Sequence, residues 1–331
     1  MLGRIALCLL AVAALAAAPA AAADGLGPFA QQGGTGVLSS DGSTRFVAVP
    51  ADTELNTLLE AVSTIDGTVS QWRNIIGSYG LPTLAYAAGA DSLSHDGRTL
   101  VLAQTSPSLS SDFLVYDTRR LALKHWVTLR GRFTFDALSP DGSRMYLIEY
   151  TRPNRDVSHY VVRAYDLRSE TLLPGRIADR TQTGWVMNGY PVTRTTSADG
   201  RWVYTLYQNG GNGYPFVHAL DTVGGVAHCV GLPVSNATAL YNLVLSLHGG
   251  SLAVHWRSGR PFLNVDTATW RVTTASRGLT WLWPVLAAGG ALLALAAAAA
   301  GALLLRRRRA GQELAEELDE LLRLPEREVV V

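Results

Sequence analysis

Short apolar runs alternate with polar turns along most of the chain, and the pattern repeats roughly every 50 residues. Each repeat has a turn of the form Ser-x-Asp-Gly with apolar residues on both sides, and a later apolar run that ends in Asp. These turns lie at 39–42, 94–97, 139–142 and 197–200, and a degenerate fifth copy, Leu-His-Gly-Gly, lies at 247–250. Because Gly tolerates a positive φ and Asp can accept hydrogen bonds from nearby backbone N–H groups, each turn is predicted to reverse the chain between two strands.

The apolar runs predict four short strands in each repeat, with the Asp-Gly turn between the first and the second. The predicted first strands lie at 37–38, 93, 135–138, 192–196 and 243–247, and the second strands at 45–49, 99–103, 145–149, 202–206 and 251–256. A repeat of this length that is made of short strands is typical of a β-propeller. The sequence therefore predicts an all-β domain with five blades, and a degenerate sixth blade is the alternative.

The third repeat resembles a known family. Its segment Ser-Pro-Asp-Gly-Ser-Arg-Met-Tyr-Leu at 139–147 and the later Val-Val-Arg-Ala-Tyr-Asp at 161–166 resemble the bacterial YVTN-type and WD40-like propeller repeat. The Asp-Thr-Ala-Thr segment at 266–269 is similar to a turn common in that family. The resemblance covers about 36–275. It implies the propeller fold but says little about function, because propellers have many unrelated activities.

The two ends of the chain predict its location. Residues 1–23 combine Arg4 with an apolar stretch and an Ala-rich end, which favours a cleaved secretory signal peptide over a membrane anchor. Residues 280–305 carry no charge and are long enough to cross a bilayer as a helix, and arginines follow at 306–309. We therefore expect a single-pass type I protein of the cell membrane, with an extracytoplasmic propeller at 24–279, a membrane-spanning helix at 280–305 and a cytoplasmic tail at 306–331.

Composition narrows the possible partners. The formal net charge is +1, which gives no electrostatic basis for binding nucleic acid. After signal cleavage Cys229 is the one remaining cysteine, and no Cys/His spacing typical of a metal site is present, so we expect neither metal nor cofactor. Lys124 is the only lysine, and the Arg-, Ala- and Gly-rich composition is typical of a GC-rich bacterial genome. The short tail is interpreted as a solvated acidic helix, and a helix that binds a cytoplasmic partner is the alternative.

Two groups of residues are candidates for a functional site. In a propeller, the loops between second and third strands and the loops between blades gather on one face, which we call the loop face. Its predicted aromatic and cationic members, which are residue types that anchor interfaces, are Tyr79, Arg152, Arg155, Trp185, Tyr190 and Tyr214. The second group lies on the first strands, five positions before the Asp-Gly turns and near the expected central channel, and comprises Asp91, Asp136 and Arg194. These residues are interpreted as a structural ion-pair network, and a catalytic or ion-binding ring is the alternative.

The sequence contains no recognised catalytic motif, since it lacks G-x-S-x-G, H-E-x-x-H and a phosphate-binding loop. We therefore expect a non-enzymatic, membrane-anchored propeller that recognises an extracellular protein or glycan. The alternative is an extracytoplasmic hydrolase or lactonase with its site in the central channel. The centre of the fold separates these two hypotheses. A deep channel with converging Asp and Arg side chains favours the enzyme, and a filled channel favours the binding protein.

Overall fold

A computed structural model describes most of the predicted propeller. The described residues are 30–51, 56–85, 88–106, 109–152, 159–181, 187, 189–208, 214–234, 240–274 and 301–302. The predicted signal peptide and tail lie outside them, as does the predicted span apart from Gly301 and Ala302, which are helical. Within these ranges no helix is both long and apolar enough to cross a membrane. The chain divides into two units, Met1–Ala275 and Ser276–Val331, and every described strand belongs to the first.

The described strands form five antiparallel sheets, which we call blades and number along the chain. Blade 1 contains β2 (Val37–Leu38), β3 (Thr44–Ala51), β4 (Asn56–Ser63) and β5 (Val69–Ile76). Blade 2 contains β1 (Ala30–Gln31), β6 (Tyr79–Ala85), β7 (Ala88–Ala90), β8 (Thr99–Gln104), β9 (Ser110–Asp117) and β10 (Ala122–Arg130). Blade 3 contains β11 (Phe133–Leu138), β12 (Arg144–Tyr150), β13 (Tyr160–Asp166) and β14 (Thr171–Leu172).

Blades 4 and 5 complete the described sheets. Blade 4 contains β15 (Tyr190–Thr196), β16 (Trp202–Gln208), β17 (Phe216–Asp221) and β18 (Val226–Gly231). A short 3-10 helix (Leu240–Asn242) leads into blade 5, which contains β19 (Leu243–His248), β20 (Ser251–Trp256), β21 (Pro261–Asp266) and β22 (Val272–Thr274). Strands pair in chain order in every blade except blade 2. The prediction of an all-β, propeller-like domain is confirmed.

The Asp-Gly turns form as the sequence predicts. In blade 3, Ser139 Oγ donates to Asp141 Oδ1 at 2.7 Å, and the backbone N–H of Arg144 donates to Ser139 Oγ at 2.9 Å. The same Ser–Asp hydrogen bond recurs in blades 1, 2 and 4. The four turn glycines have positive φ angles and are Gly42, Gly97, Gly142 and Gly200. Each turn thus satisfies its own backbone donors while it reverses the chain.

Buried apolar side chains join consecutive blades. Four clusters fill the seams between blades 1 and 2, 2 and 3, 3 and 4, and 4 and 5. Tyr146 and Tyr207, for example, are almost fully buried in the seam between blades 3 and 4. No such cluster joins blade 5 to blade 1 among the described residues. Blades 2, 3 and 4 therefore bury apolar side chains on both faces, whereas blades 1 and 5 bury them on one.

Blade 2 differs from the prediction. The first strand expected at Leu93 is only an isolated bridge to Leu100, and the segment around Tyr79, expected to belong to a loop, contains β6. One end of β6 pairs with β8, its other end forms a hairpin with β7, and β1 also pairs with it. A Cβ atom on Gly80 would collide with the backbone of Gln31, so glycine at this position permits the approach of β1.

The β6–β7 hairpin lies in the middle of the blades. Strand β6 contacts β3 and β4 of blade 1, β11 of blade 3 and β15 of blade 4, and β7 also contacts β15. The side chains of Leu81, Leu84 and Ala85 are buried there. The hairpin, together with β1, therefore occupies the central region. An open channel there was one of the two expectations, and the structure instead has this region filled.

Candidate functional site

The central residues Asp136 and Arg194 form a buried ion pair between blades 3 and 4. Arg194 NH2 lies 2.7 Å from Asp136 Oδ1, and Arg194 NH1 donates to the backbone oxygen of Asp136 at 2.6 Å. The two side chains are 6% exposed or less. A β-bulge in β11 leaves Asp136 without a cross-strand partner, and a bulge is a common way to redirect a side chain. The structure thus brings together two of the three channel candidates.

The third channel candidate, Asp91, stands apart from this pair. It follows β7, and among the described residues no hydrogen bond or ion pair joins it to Arg194. Solvent reaches Asp91, yet surrounding protein raises the pKa of its carboxyl by desolvation, and the positive charge of Arg194 partly offsets this effect. The charge of Arg194 therefore affects the pKa of Asp91, although Asp91 takes no part in the hydrogen bonds between Arg194 and Asp136.

A buried His–Cys contact lies next to the ion pair and was not expected from the sequence. His218 on β17 and Cys229 on β18 are cross-strand partners, with Nδ1 3.5 Å from Sγ. Burial lowers the pKa of His218 to about 4 and raises the pKa of Cys229 to about 12. The imidazole and the thiol are therefore both neutral at pH 7, so this pair lacks the thiolate that nucleophilic chemistry requires. The neighbouring His228 points to the other face of the sheet, where it stacks on Trp270 with ring centroids 4.6 Å apart.

We call Asp136, Arg194, His218 and Cys229 the central cluster. Some of its polar atoms have no hydrogen-bond partner among the described residues. They are Asp136 Oδ2, Arg194 Nε and His218 Nε2, and all three atoms are buried. Three cavities lined by described residues lie elsewhere, and none of them is lined by Asp136, Arg194 or His218. The central cluster is thus a desolvated polar contact between two blades.

The loop face carries an exposed aromatic side chain beside a cavity. Tyr214, just before β17, is 66% exposed and lines a cavity of about 480 Å³ with Gly231, Leu232 and Pro233. Tyr214 comes from the loop between β16 and β17, Gly231 ends β18, and Leu232 and Pro233 begin the connection to blade 5. A loop within blade 4 and the start of the connection between blades 4 and 5 thus border one cavity.

The other loop-face candidates have different outcomes. Arg152 is exposed just after β12, and Tyr190 is half-buried at the start of β15, opposite Gln208 at the end of β16. Tyr190 pairs with Gln208 at the end of β16, and Phe216 pairs with Tyr207, so Tyr190 and Tyr214 lie at the same end of blade 4. Arg152 follows β12, the second strand of blade 3, at the equivalent end of that blade. Trp185 and Arg155 lie outside the described residues.

The placement of Tyr79 on the loop face is wrong. Tyr79 lies in β6 and is 5% exposed, packed in the apolar cluster between blades 1 and 2. Its backbone N–H donates to Thr57 Oγ1 of blade 1 at 2.8 Å. Gly77, Gly80 and Pro82 interrupt the apolar pattern of this segment, and because these residue types usually weaken a strand, the sequence does not indicate β6.

A second cavity that the sequence did not indicate lies at the outer part of blades 4 and 5. Its volume is about 350 Å³, and its lining includes Asp179, Thr181, His228 and Trp270. Burial raises the pKa of Asp179, but hydrogen bonds from Thr181 and from the backbone of Cys229 outweigh this, and the pKa is lowered overall. These bonds are 2.6 to 2.9 Å long and connect both carboxylate oxygens to the protein. Through these hydrogen bonds, Asp179 links the connection between blades 3 and 4 to β18.

Comparisons with known proteins give similarities of fold only. No protein-family model and no curated protein matches the chain. The solved hydrazine synthase of Kuenenia stuttgartiensis is 14% identical with a TM-score of 0.43, over 72% of this chain and 64% of that one. TolB from Acinetobacter baumannii is 16% identical with a TM-score of 0.40, over 75% of this chain and 55% of that one.

A solved oligogalacturonate lyase in complex with manganese is 12% identical with a TM-score of 0.45, over 73% of this chain and 64% of that one. The chain thus spans less than two thirds of each of these three structures. Similarities at this level carry no inference about function. The propeller-like fold rests on the blade topology described above.

Proposed function

We propose that this protein is a non-enzymatic, membrane-anchored propeller that recognises an extracellular protein or glycan through its loop face. The main support is the occupied centre of the fold. The β6–β7 hairpin fills the place where a propeller enzyme would need an open channel, and Arg194 already neutralises Asp136. The Asp136 carboxylate is buried and its Oδ1 already accepts a hydrogen bond from Arg194, so it is not positioned to take a proton from a substrate.

The loop face offers the chemistry that recognition requires. Tyr214 presents an aromatic ring and a hydroxyl to solvent beside a cavity with an apolar wall, formed by Leu232 and Pro233. Arg152 is exposed on the same face. Tyrosine and arginine are enriched among the residues that contribute most to binding, because they combine a large contact area with hydrogen bonding. The cavity beside Tyr214 is therefore the part of the face that we expect to contact the partner.

The anchoring part of the proposal rests on the sequence. Residues 280–305 are free of charge, and the four arginines at 306–309 favour a cytoplasmic C-terminus. The propeller would then lie outside the cytoplasm. Protease added to intact spheroplasts should degrade the propeller and spare a C-terminal tag. Loss of the tag while the propeller persists would contradict the proposed topology.

Binding by the full chain in detergent micelles tests the recognition function. The probes are an array of bacterial envelope glycans and a set of purified envelope proteins. Tyr214→Ala should weaken binding by about tenfold or more without lowering the melting temperature. Trp126→Ala is the matched control, because Trp126 is equally exposed but lies on the outer strand β10.

The rival hydrolase or lactonase hypothesis makes the opposite prediction. The full chain would turn over a panel of lactone and ester substrates, and Asp136→Asn would abolish this turnover while Tyr214→Ala would not. That result would overturn the proposed function. Binding that is equally strong in the Tyr214→Ala and Trp126→Ala variants would remove the loop-face site.

A further inference from the structure

One face of blade 1 carries exposed apolar side chains, and no apolar cluster of the described residues covers it. Opposite residues of paired strands point to the same side, so the strand register defines which side chains share a face. The face that packs on blade 2 contains Phe46, Ala48, Leu59 and Ala61, which are buried. We call the opposite face the blade-1 outer face, and its members across β2 to β5 are Leu38, Arg45, Val47, Val49, Ala51, Asn56, Leu58, Glu60, Val62, Val69, Trp72, Asn74 and Ile76.

The exposure of this face is unusual for its chemistry. Leu38, Val69, Trp72 and Ile76 are between 46% and 85% exposed, and all four lie on the blade-1 outer face. In blades 2, 3 and 4 the corresponding faces are covered by the preceding blade, as the apolar clusters between blades show. Three of these residues lie together on β5, and clustered exposed apolar side chains often mark an interaction site.

Blade 5, at the other end of the series, has a different free face. Its cross-strand rows there are Val244 with His255, and Ser246 with Ala253, Asn264 and Thr273. These side chains are mostly small or polar, as is typical of a terminal repeat that faces water. Blade 5 therefore does not offer an apolar surface that matches blade 1.

We propose that the blade-1 outer face binds the same face of a second copy of this chain, as a two-fold symmetric dimer. In such a contact one patch must be complementary to itself. Arg45 and Glu60 give this complementarity, because they lie two positions apart along neighbouring strands β3 and β4 of the same face. Neither residue forms an ion pair with any residue that the structure describes. A two-fold axis between them places Arg45 against Glu60 of the partner subunit, twice in each dimer.

The size of the face limits the strength of the proposed contact. Three strands of eight residues and the two-residue β2, about 4.8 Å apart with a rise of about 3.3 Å per residue, give a face of roughly 400 Å². The two copies together would then bury about 800 Å², which is in the range of weak, transient contacts. Trp72, next to Glu60 in the register, supplies the large aromatic side chain that typically anchors such a contact. The dimer is therefore expected to dissociate on dilution.

Sedimentation velocity of the full chain in detergent micelles, over a dilution series, measures this association. Trp72→Asp should weaken the dimer by about tenfold or more, because it places a charge in the apolar contact. Trp126→Asp is the matched control, since Trp126 is similarly exposed on β10 but does not belong to the face. Thermal unfolding of both variants should resemble that of the unchanged chain, because both side chains are exposed.

A charge exchange tests the two-fold geometry itself. Arg45→Glu and Glu60→Arg should each weaken the dimer, because each creates two like-charged contacts, and the double variant should restore it. A chain that is monomeric at every concentration would overturn the proposal. Association that survives Trp72→Asp, for instance through the predicted membrane helix, would also overturn it. The proposal does not depend on the loop-face function, since none of these substitutions touches Tyr214 or its cavity.

Discussion

Blade 1 and blade 3 share the same Ser-x-Asp-Gly turn between their first and second strands and the same strand order, yet their surroundings differ. Blade 3 is covered on both faces, with Tyr146 and Val162 fully buried against blade 4. Blade 1 is covered on one face and leaves Trp72 and Ile76 exposed on the other. The repeated motif thus specifies a blade, whereas the neighbouring blades decide how much a given position contributes to stability. Substitutions at equivalent positions can measure this difference.

The largest difference is expected between two arginines. Arg194→Ala should destabilise the propeller by about 3–5 kcal/mol, because Asp136 would remain buried without its partner. Arg45→Ala on the blade-1 outer face should change the monomer's stability by about 0.5 kcal/mol or less. Denaturant unfolding at high dilution measures both values. Equal effects would mean that the blade-1 outer face is as desolvated as the seam between blades 3 and 4.

A rescue variant shows whether the Arg194 effect comes from the ion pair. Adding Asp136→Asn to Arg194→Ala should recover part of the lost stability, because the uncompensated charge is removed. The coupling energy follows from the two single variants and the double variant. Strictly additive effects would show that the two side chains do not stabilise each other.

Blades 4 and 1 each contain a titratable group whose contribution to folding stability is expected to change over a different pH range. His218 in blade 4 has a pKa lowered to about 4 by burial, so the unfolded chain binds a proton before the folded chain does. Stability should therefore fall by about 3 kcal/mol as the pH drops from 6.5 to 4. In blade 1, hydrogen bonds led by that of Ser39 lower the pKa of Asp41 to about 2, so its contribution to stability is lost only as the pH falls below the ordinary aspartate pKa of 3.8.

Unfolding curves recorded across these pH values test the assignment to His218. His218→Gln should flatten the dependence between pH 6.5 and 4, because glutamine does not titrate. His248→Gln is the control, since His248 is exposed at the end of β19. A slope that remains in the His218→Gln variant would assign it to another group.

The turn glycines give a smaller contrast. Gly42 and Gly142 both have positive φ, so alanine at either position should cost about 1–2 kcal/mol in backbone strain. At Gly142 the added Cβ would also collide with Thr99 of blade 2, whereas at Gly42 it would meet open space. Gly142→Ala should therefore cost about 1–3 kcal/mol more than Gly42→Ala in thermal unfolding. Equal costs would show that the contact with Thr99 relaxes freely.

The smallest effect is expected on the blade-1 outer face itself. Val47→Thr should change the monomer's stability by about 0.5 kcal/mol or less. The same substitution at Val162, which is fully buried in blade 3, should cost about 1–3 kcal/mol because it buries a hydroxyl. Both variants can be compared by denaturant unfolding at high dilution. A large cost at Val47 would indicate that this face is covered within the monomer.

The alternation of apolar runs and polar turns along the sequence predicted the repeated parts of the fold well. Strand β20 has the bounds expected from the sequence, Ser251–Trp256, and the turn glycines have the positive φ that their position requires. The pairing of β1 with β6 was not predictable in this way. It joins segments roughly 50 residues apart, and β6 carries a glycine and a proline that weaken the strand pattern.

The central cluster was predictable only in part, for a similar reason. Asp136 and Arg194 could be matched because each lies at the same distance from its own turn. His218 and Cys229 could not, because their contact depends on the register of β17 against β18. Tyr79 was misplaced together with the strand that contains it.

The central hairpin has a consequence for how the blades unfold. An array in which each repeat contacts only its neighbours can lose its terminal repeats one at a time. The β6–β7 hairpin belongs to blade 2 but also contacts blades 1, 3 and 4. It therefore links blades that are not adjacent and makes their opening cooperative. In native-state hydrogen exchange, blades 1 to 4 should share one protection free energy, and blade 5, which lacks such a contact with the hairpin among the described strands, should exchange first.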